Sequence, residues 1–210
     1  MKLKKKYKRL LIGILIVILV VIISIVVFKN IQNKNNKEVT EIKIVSKIDK
    51  YGYNLKENKP KAYKEMFEEL KTILNAEEIV EEDYVKKISE MFIYDFYSLN
   101  DKVAKTDIGG VDFVYQDILE NYLQNAQNTY YKYVESNIYN NRKQTLPEVT
   151  NIVIGEVNQK PFAYGEKTDE KAYEVQVTWD YTNQSFAKYQ KSATLIFVHD
   201  DIKLSLVELK

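Results

Sequence analysis

The chain has 210 residues, 45% of them hydrophobic and 29% charged, with only 3 prolines and 6 glycines, a composition that excludes a disordered or collagen-like polymer. Its 31 Lys+Arg and 30 Asp+Glu look balanced, yet Lys2, Lys4, Lys5, Lys6, Lys8 and Arg9 precede every acidic residue and leave 25 basic against 30 acidic from Leu10 onward; a net-acidic body argues against nucleic-acid binding. Cysteine is absent and His199 is the single histidine, which excludes disulfides, thiol catalysis, iron-sulfur clusters, cysteine zinc sites and multi-histidine metal centres.

Behind the basic leader, residues 1–9, the nineteen residues Leu10–Phe28 carry no charge and are interrupted only by Gly13 and Ser24. As a helix they cover roughly 28 Å at about 1.5 Å per residue, enough to cross the hydrocarbon core of a bilayer. The Ile/Val bias would favour a strand in water, but in lipid only a helix pairs its own backbone groups. The run is longer than a secretory signal core and no small-residue cleavage site follows Phe28, so the expectation is an uncleaved anchor rather than a processed signal. Six basic residues before the span outnumber Lys29, Lys34 and Lys37 soon after it, which places the N-terminus in the cytoplasm and the remainder outside. The lipid bilayer is therefore the first expected partner. Residues 29–41, rich in Asn, Lys and Gln, form a polar tether.

Residues 42–210 are enough for one domain with its own core. A strand is expected at Ile42–Ile48. Next, Ala62, Tyr63, Met66, Phe67, Leu70, Ile73 and Leu74 make one helical stripe, with Pro60 in the first turn and Asn58 as its cap. A second helix follows the acidic cluster Glu77, Glu78, Glu81, Glu82 and Asp83, and its stripe is Val85, Ile88, Met91, Phe92, Phe96 and Leu99. A third is expected from Asp112 to Ser136, after the permissive Gly109-Gly110 pair. Past Pro147 the period changes to two. Strands are read at Val149–Val157, Tyr173–Tyr181 with Trp179 on the buried face, Ser192–His199 and Ile202–Leu209, the last two joined through Asp200-Asp201. Three helices followed by at least four strands without alternation give a segregated α+β class, an antiparallel sheet covered by helices.

This element order resembles the NTF2-like superfamily, in which helices close the concave side of a curved sheet. Phe92-Ile93-Tyr94-Asp95-Phe96-Tyr97-Ser98-Leu99-Asn100, Asp107-Ile108-Gly109-Gly110-Val111, Leu146-Pro147-Glu148-Val149 and Trp179 are similar to segments of membrane-anchored bacterial proteins of unassigned function. Comparable NTF2-like outer domains occur in membrane-tethered parts of conjugation machines. The β-hairpin that a simple NTF2-like pattern places between the second and third helices is missing here.

The resemblance carries over no catalytic residue. Asp95 is the candidate carboxylate: buried on an apolar stripe, its pKa would rise and it could exchange protons with neighbouring tyrosines, as in an NTF2-like pocket enzyme or small-ligand binder. The competing reading makes it a structural acceptor for a tyrosine hydroxyl or a loop N–H, holding Gly109-Gly110 in place. His199 beside Asp200 and Asp201 reads as a solvated turn, because no Gly-x-Ser-x-Gly elbow supplies a nucleophile. No metal ligand set or cofactor motif emerges. Tyrosine is over-used, 17 in the chain. Tyr130, Tyr131, Tyr133 and Tyr139 lie so close together that some must face outward, and they are the candidate partner-binding residues. The expected function is a non-catalytic binding or assembly module of the cell envelope that meets another envelope protein or a second copy of itself.

Overall fold

A computed structural model describes residues 43–210. The expected leader, membrane span and tether, residues 1–9, 10–28 and 29–41, lie outside the described residues. Among the described residues no helix is long and apolar enough to cross a membrane. The class is α+β. A two-stranded ribbon, β1 (Ile44–Ile48) and β2 (Tyr53–Lys56), is followed by helices α1 (Lys61–Leu74), α2 (Glu81–Tyr97) and α3 (Leu119–Asn128). The chain ends in β3 (Val149–Tyr164), β4 (Lys167–Tyr181), β5 (Ser192–Asp200) and β6 (Lys203–Leu209). These four strands form one antiparallel sheet in the order β3-β4-β5-β6.

The amphipathic stripes dictate the layering. α1 buries Tyr63, Met66, Phe67, Leu70 and Leu74 and packs on α2, which in turn packs on β3 and β4. Sandwiched between a helix and a sheet, α2 is buried at every position from Met91 to Tyr97. Its first turn carries Glu81, Glu82 and Asp83, negative charge where the helix dipole is positive. Pro60 occupies the N-cap of α1 rather than its first turn, and no side chain caps that helix, so the expected Asn58 cap does not form.

Three further expectations change. The third helix is confined to Leu119–Asn128, preceded by the short 3-10 turns Val111–Phe113 and Gln116–Ile118. Its expected beginning is drawn off by the sheet: Tyr115 N–H donates to the Leu206 carbonyl at 2.9 Å, and Val114 bridges Leu206 in the parallel sense. At the other end the Thr129 hydroxyl bonds back to the Asn125 carbonyl at 2.7 Å as the helix stops, a competition typical of β-hydroxyl residues. The second change is at β3 and β4, which run on to a two-residue turn at Gly165-Glu166, with Tyr164 paired to Lys167 and Gly165 at φ 56°. From Asn158 to Lys171 no residue is fully buried, and only Phe162, Tyr164 and Asp169 are half-buried. The last hairpin turns at Asp201-Ile202, one residue later than expected, with Asp200 paired to Lys203 and Asp201 at φ 56°; Asp tolerates that left-handed conformation. The early strand exists, but it pairs with β2, a strand the pattern did not reveal, rather than with the main sheet.

The β3-β4 ladder has three register shifts, two with the extra residue in β3, one of these at Asn151 with φ 49°, and one with it in β4; they increase local twist and break up a regular sheet edge. The sheet coils. Tyr164 near the end of β3 meets Tyr115 beside β6 with ring centroids 5.4 Å apart, although β3 and β6 are opposite edges of the sheet. Consistent with this fold-back, β5 is buried on both faces, Leu195 and Phe197 on one and Ile196 and Val198 on the other.

Candidate functional site

Asp95 sits near the end of α2 and is 6% exposed. Its Oδ1 accepts from Lys59 Nζ at 2.5 Å and Lys102 Nζ at 2.8 Å, and its Oδ2 accepts from Gly110 N–H at 2.8 Å. Lys59 arrives from the turn before α1; Lys102, 2% exposed, comes from the loop after α2. Burial by itself would raise the carboxyl pKa, but the two ammonium groups outweigh it and hold Asp95 well below the usual carboxylate range. The same partnership raises Lys102 despite its burial. The loop that brings Gly110 into place admits only glycine at two successive positions. A Cβ on Gly109 would lie 1.9 Å from the Asp95 carbonyl oxygen, and one on Gly110, at φ +74°, would lie 2.6 Å from the Phe92 ring. Asp95 thus stays ionised with both oxygens engaged by donors. It has no proton to give near neutrality.

The four candidate tyrosines divide into two pairs. Tyr130 and Tyr131 turn inward. The Tyr131 hydroxyl accepts from Gly109 N–H at 3.0 Å and donates to the Phe96 carbonyl at 2.7 Å, while Tyr122 donates to the Gly109 carbonyl at 2.6 Å. Tyr130 donates to the Tyr97 carbonyl at 3.1 Å and lies 3.3 Å from the Tyr181 hydroxyl. Around Phe96 the rings of Tyr122, Tyr130 and Tyr131 pack at 5.6 to 5.8 Å. Tyr133 and Tyr139 face outward at 75% and 71% exposure, with Ile138 and Val103 also exposed beside them. The bond from Asn137 N–H to the Val103 carbonyl, 2.7 Å, joins the two segments.

That outer loop is stitched from beneath. The Arg142 guanidinium donates to the carbonyls of Lys102 at 2.7 Å, Asn100 at 2.8 Å and Glu135 at 3.2 Å. The Gln144 side chain spans Tyr133 O at 2.8 Å and Glu135 N–H at 2.9 Å. Its exposed aromatic residues are therefore presented on an ordered platform.

Sequence reasoning missed a third cluster. His199 does not pair with Asp200 or Asp201. Asp169, on the extended arm of β4, accepts from both His199 N–H at 2.7 Å and the ring Nδ1 at 2.8 Å. Nε2 faces Glu81 Oε2 at 3.4 Å, and Tyr173 donates to the same carboxylate oxygen at 3.0 Å. Partial burial would lower the His199 pKa, but the hydrogen bonds to Asp169 and Glu81 raise it; burial and the Glu81 hydrogen bond push Tyr173 up to about 12. The group joins the first residue of α2 to β4 and β5. It lacks a nucleophile, and among the described residues no group of three His, Asp or Glu side chains has metal-binding geometry. Only the full length of β4 would have pointed to Asp169.

A groove of about 640 Å³ opens between the β3-β4 tip, the segment from Tyr115 to Ile118 and the end of β6. Comparison with protein-family models, with curated proteins and with solved structures gave no match.

Proposed function

We propose that this chain is a single-pass membrane protein, N-terminus in the cytoplasm, whose NTF2-like α+β domain outside the membrane binds an envelope protein or a second copy of itself without catalysing a reaction. The uncharged run Leu10–Phe28 supports the anchor. The observation that carries the binding function is the ordered outer loop: Tyr133 and Tyr139 are more than two-thirds exposed, yet hydrogen bonds from Arg142 and Gln144 fix the backbone behind them. Pre-organised tyrosines offer large contact area at small entropic cost. Asp95, the catalytic candidate, is committed to three donors, which supports the non-catalytic reading.

The test is photo-crosslinking in intact cells from a label at Tyr133 or Tyr139, with exposed Lys171 as control. One common protein captured from both loop positions and not from the control is the expected result. Equal, indiscriminate capture from all three would refute the docking role, and protection of residues 43–210 from protease added to whole cells would refute the orientation.

A further inference from the structure

We propose that the free edge of β6, with the groove beside it, takes up an extended lysine-bearing segment of a partner protein as an added strand. β6 is the last strand of its sheet. The chain itself begins to extend that sheet: Val114 bridges Leu206 and Tyr115 N–H bonds the Leu206 carbonyl. The 3-10 turn Gln116–Ile118 then draws it away, so among the described residues no strand pairs with Val207–Leu209 on that side. Where the two diverge the groove opens, about 640 Å³ in volume. Three residues of strand present roughly 10 Å of edge at about 3.3 Å each, room for a short extended segment whose backbone continues the pairing.

The walls specify the side chains. Asp117, Glu166 and Glu208 contribute three carboxylates, against the single ammonium of Lys167 on the groove wall. Glu208 also pairs with exposed Lys210 at 3.0 Å, a contact worth little in water. Phe162, Tyr164 and Ile118 supply apolar surface between the charges. The groove wall already holds an ammonium group at its polar rim: Lys167 Nζ donates to the Tyr115 hydroxyl at 2.8 Å. An incoming lysine meets acceptors of the same kind, a phenolic oxygen and carboxylates. The opposite edge is interrupted by two extra residues in β3 and by Pro161, whereas β6 has a single extra residue, Val207, where the groove begins, which makes β6 the edge better suited to addition.

This inference rests on reading the domain as a binding module and adds the chemistry of one segment it binds, at a surface separate from the Tyr133 and Tyr139 loop. The experiment uses the full-length chain in detergent micelles. The probes are blocked lysyl-valyl-lysyl-valine amide, its glutamyl counterpart and an analogue methylated on alternate backbone nitrogens. Hydrogen exchange at the Leu209 amide, which points away from β5 because the flanking Lys210 pairs with Thr194, should slow at least tenfold with the lysyl peptide. The glutamyl and N-methylated peptides, and the lysyl peptide with the double variant Asp117→Lys/Glu208→Lys, should bind at least tenfold more weakly. Absence of protection at millimolar lysyl peptide, or protection centred on residues 133–139, would overturn the proposal. Equal binding of the N-methylated analogue would also overturn it, reducing the effect to capture of an ammonium group. The double variant should leave crosslinking from Tyr133 intact, so that loss of one site is distinguishable from loss of the other.

Discussion

Two charged clusters tie distant parts of this domain together by different physics. Asp95 with Lys59 and Lys102 is sealed inside, with Lys102 2% exposed; His199 with Asp169 and Glu81 lies on the flank, the His199 side chain 32% exposed. In the interior, removing water from an ion raises the cost of leaving it unpaired, so each partner depends on the others. On the flank, water remains an alternative partner and salt screens the attraction. The difference shows that a provocative buried carboxylate can be the most structural group in the molecule. The half-exposed histidine is the group whose charge changes near neutrality.

The largest expected effect breaks the interior cluster. Lys102→Ala should destabilise the domain by about 3–5 kcal/mol, read by chemical denaturation, because Asp95 would keep only Lys59 and Gly110 as partners in a site that excludes water. Asp95→Asn should likewise change stability rather than any activity. A loss below about 1 kcal/mol for Lys102→Ala would mean that water reaches the site.

Next comes Gly109→Ala, whose new methyl group would collide with backbone at 1.9 Å and should cost at least about 1–3 kcal/mol. The Tyr131 and Tyr122 hydroxyls that grip Gly109 would lose their alignment, visible as faster exchange of the Gly109 and Gly110 amides.

Acid should separate the clusters more finely. The folded pKa of Asp95 is depressed, so its contribution is full above the unfolded value of about 3.9 and is lost as pH falls through the lower folded value. His199 has the opposite sign. Its folded pKa is raised, so its contribution is full below about 6.5 and is lost as pH rises through the folded value. A melting-temperature profile should fall on the acid side chiefly through Asp95, and His199→Gln should flatten a shallow decline above pH 6.5. That decline should amount to no more than about 1 kcal/mol at this exposure. A profile unchanged by His199→Gln would show that the contacts of the His199 ring with Asp169 and Glu81 carry no net energy.

The smallest stability effect is expected at the outer loop, where Tyr133→Ser and Tyr139→Ser should stay within about 0.5 kcal/mol while crosslinking to the partner is lost. A large destabilisation would instead place these rings in the packing of the domain.

Local repetition made much of this fold legible. The stripes of α1 and α2 and the alternation from Tyr173 to Tyr181 repeat within one element, so spacing alone assigns element and buried face. The α+β class followed from the order of those elements, and the pairing of Asp95 with the Gly109-Gly110 loop was within reach as a structural alternative. The two lysines that hold Asp95 ionised were not, since Lys59 is 36 residues away and Lys102, seven residues on, lies in a loop of no fixed period. His199 and Glu81 are 118 residues apart, joined only once sheet and helix dock. The arms of the β3-β4 hairpin offered too short an apolar run, Phe162-Ala163-Tyr164 behind Pro161, to be read as strand, and the α3 boundary yielded to a backbone bond with β6.

By itself, then, the amino-acid order determined the membrane-compatible run, the net-acidic body, the chemistry unavailable without cysteine and the faces of the main elements, because each depends on composition or on neighbours a few residues apart. Coiling of the sheet, the inward and outward division of the tyrosines, the ionisation of Asp95 and the groove beside β6 were decided by tertiary structure, because each depends on which distant groups displace water from one another.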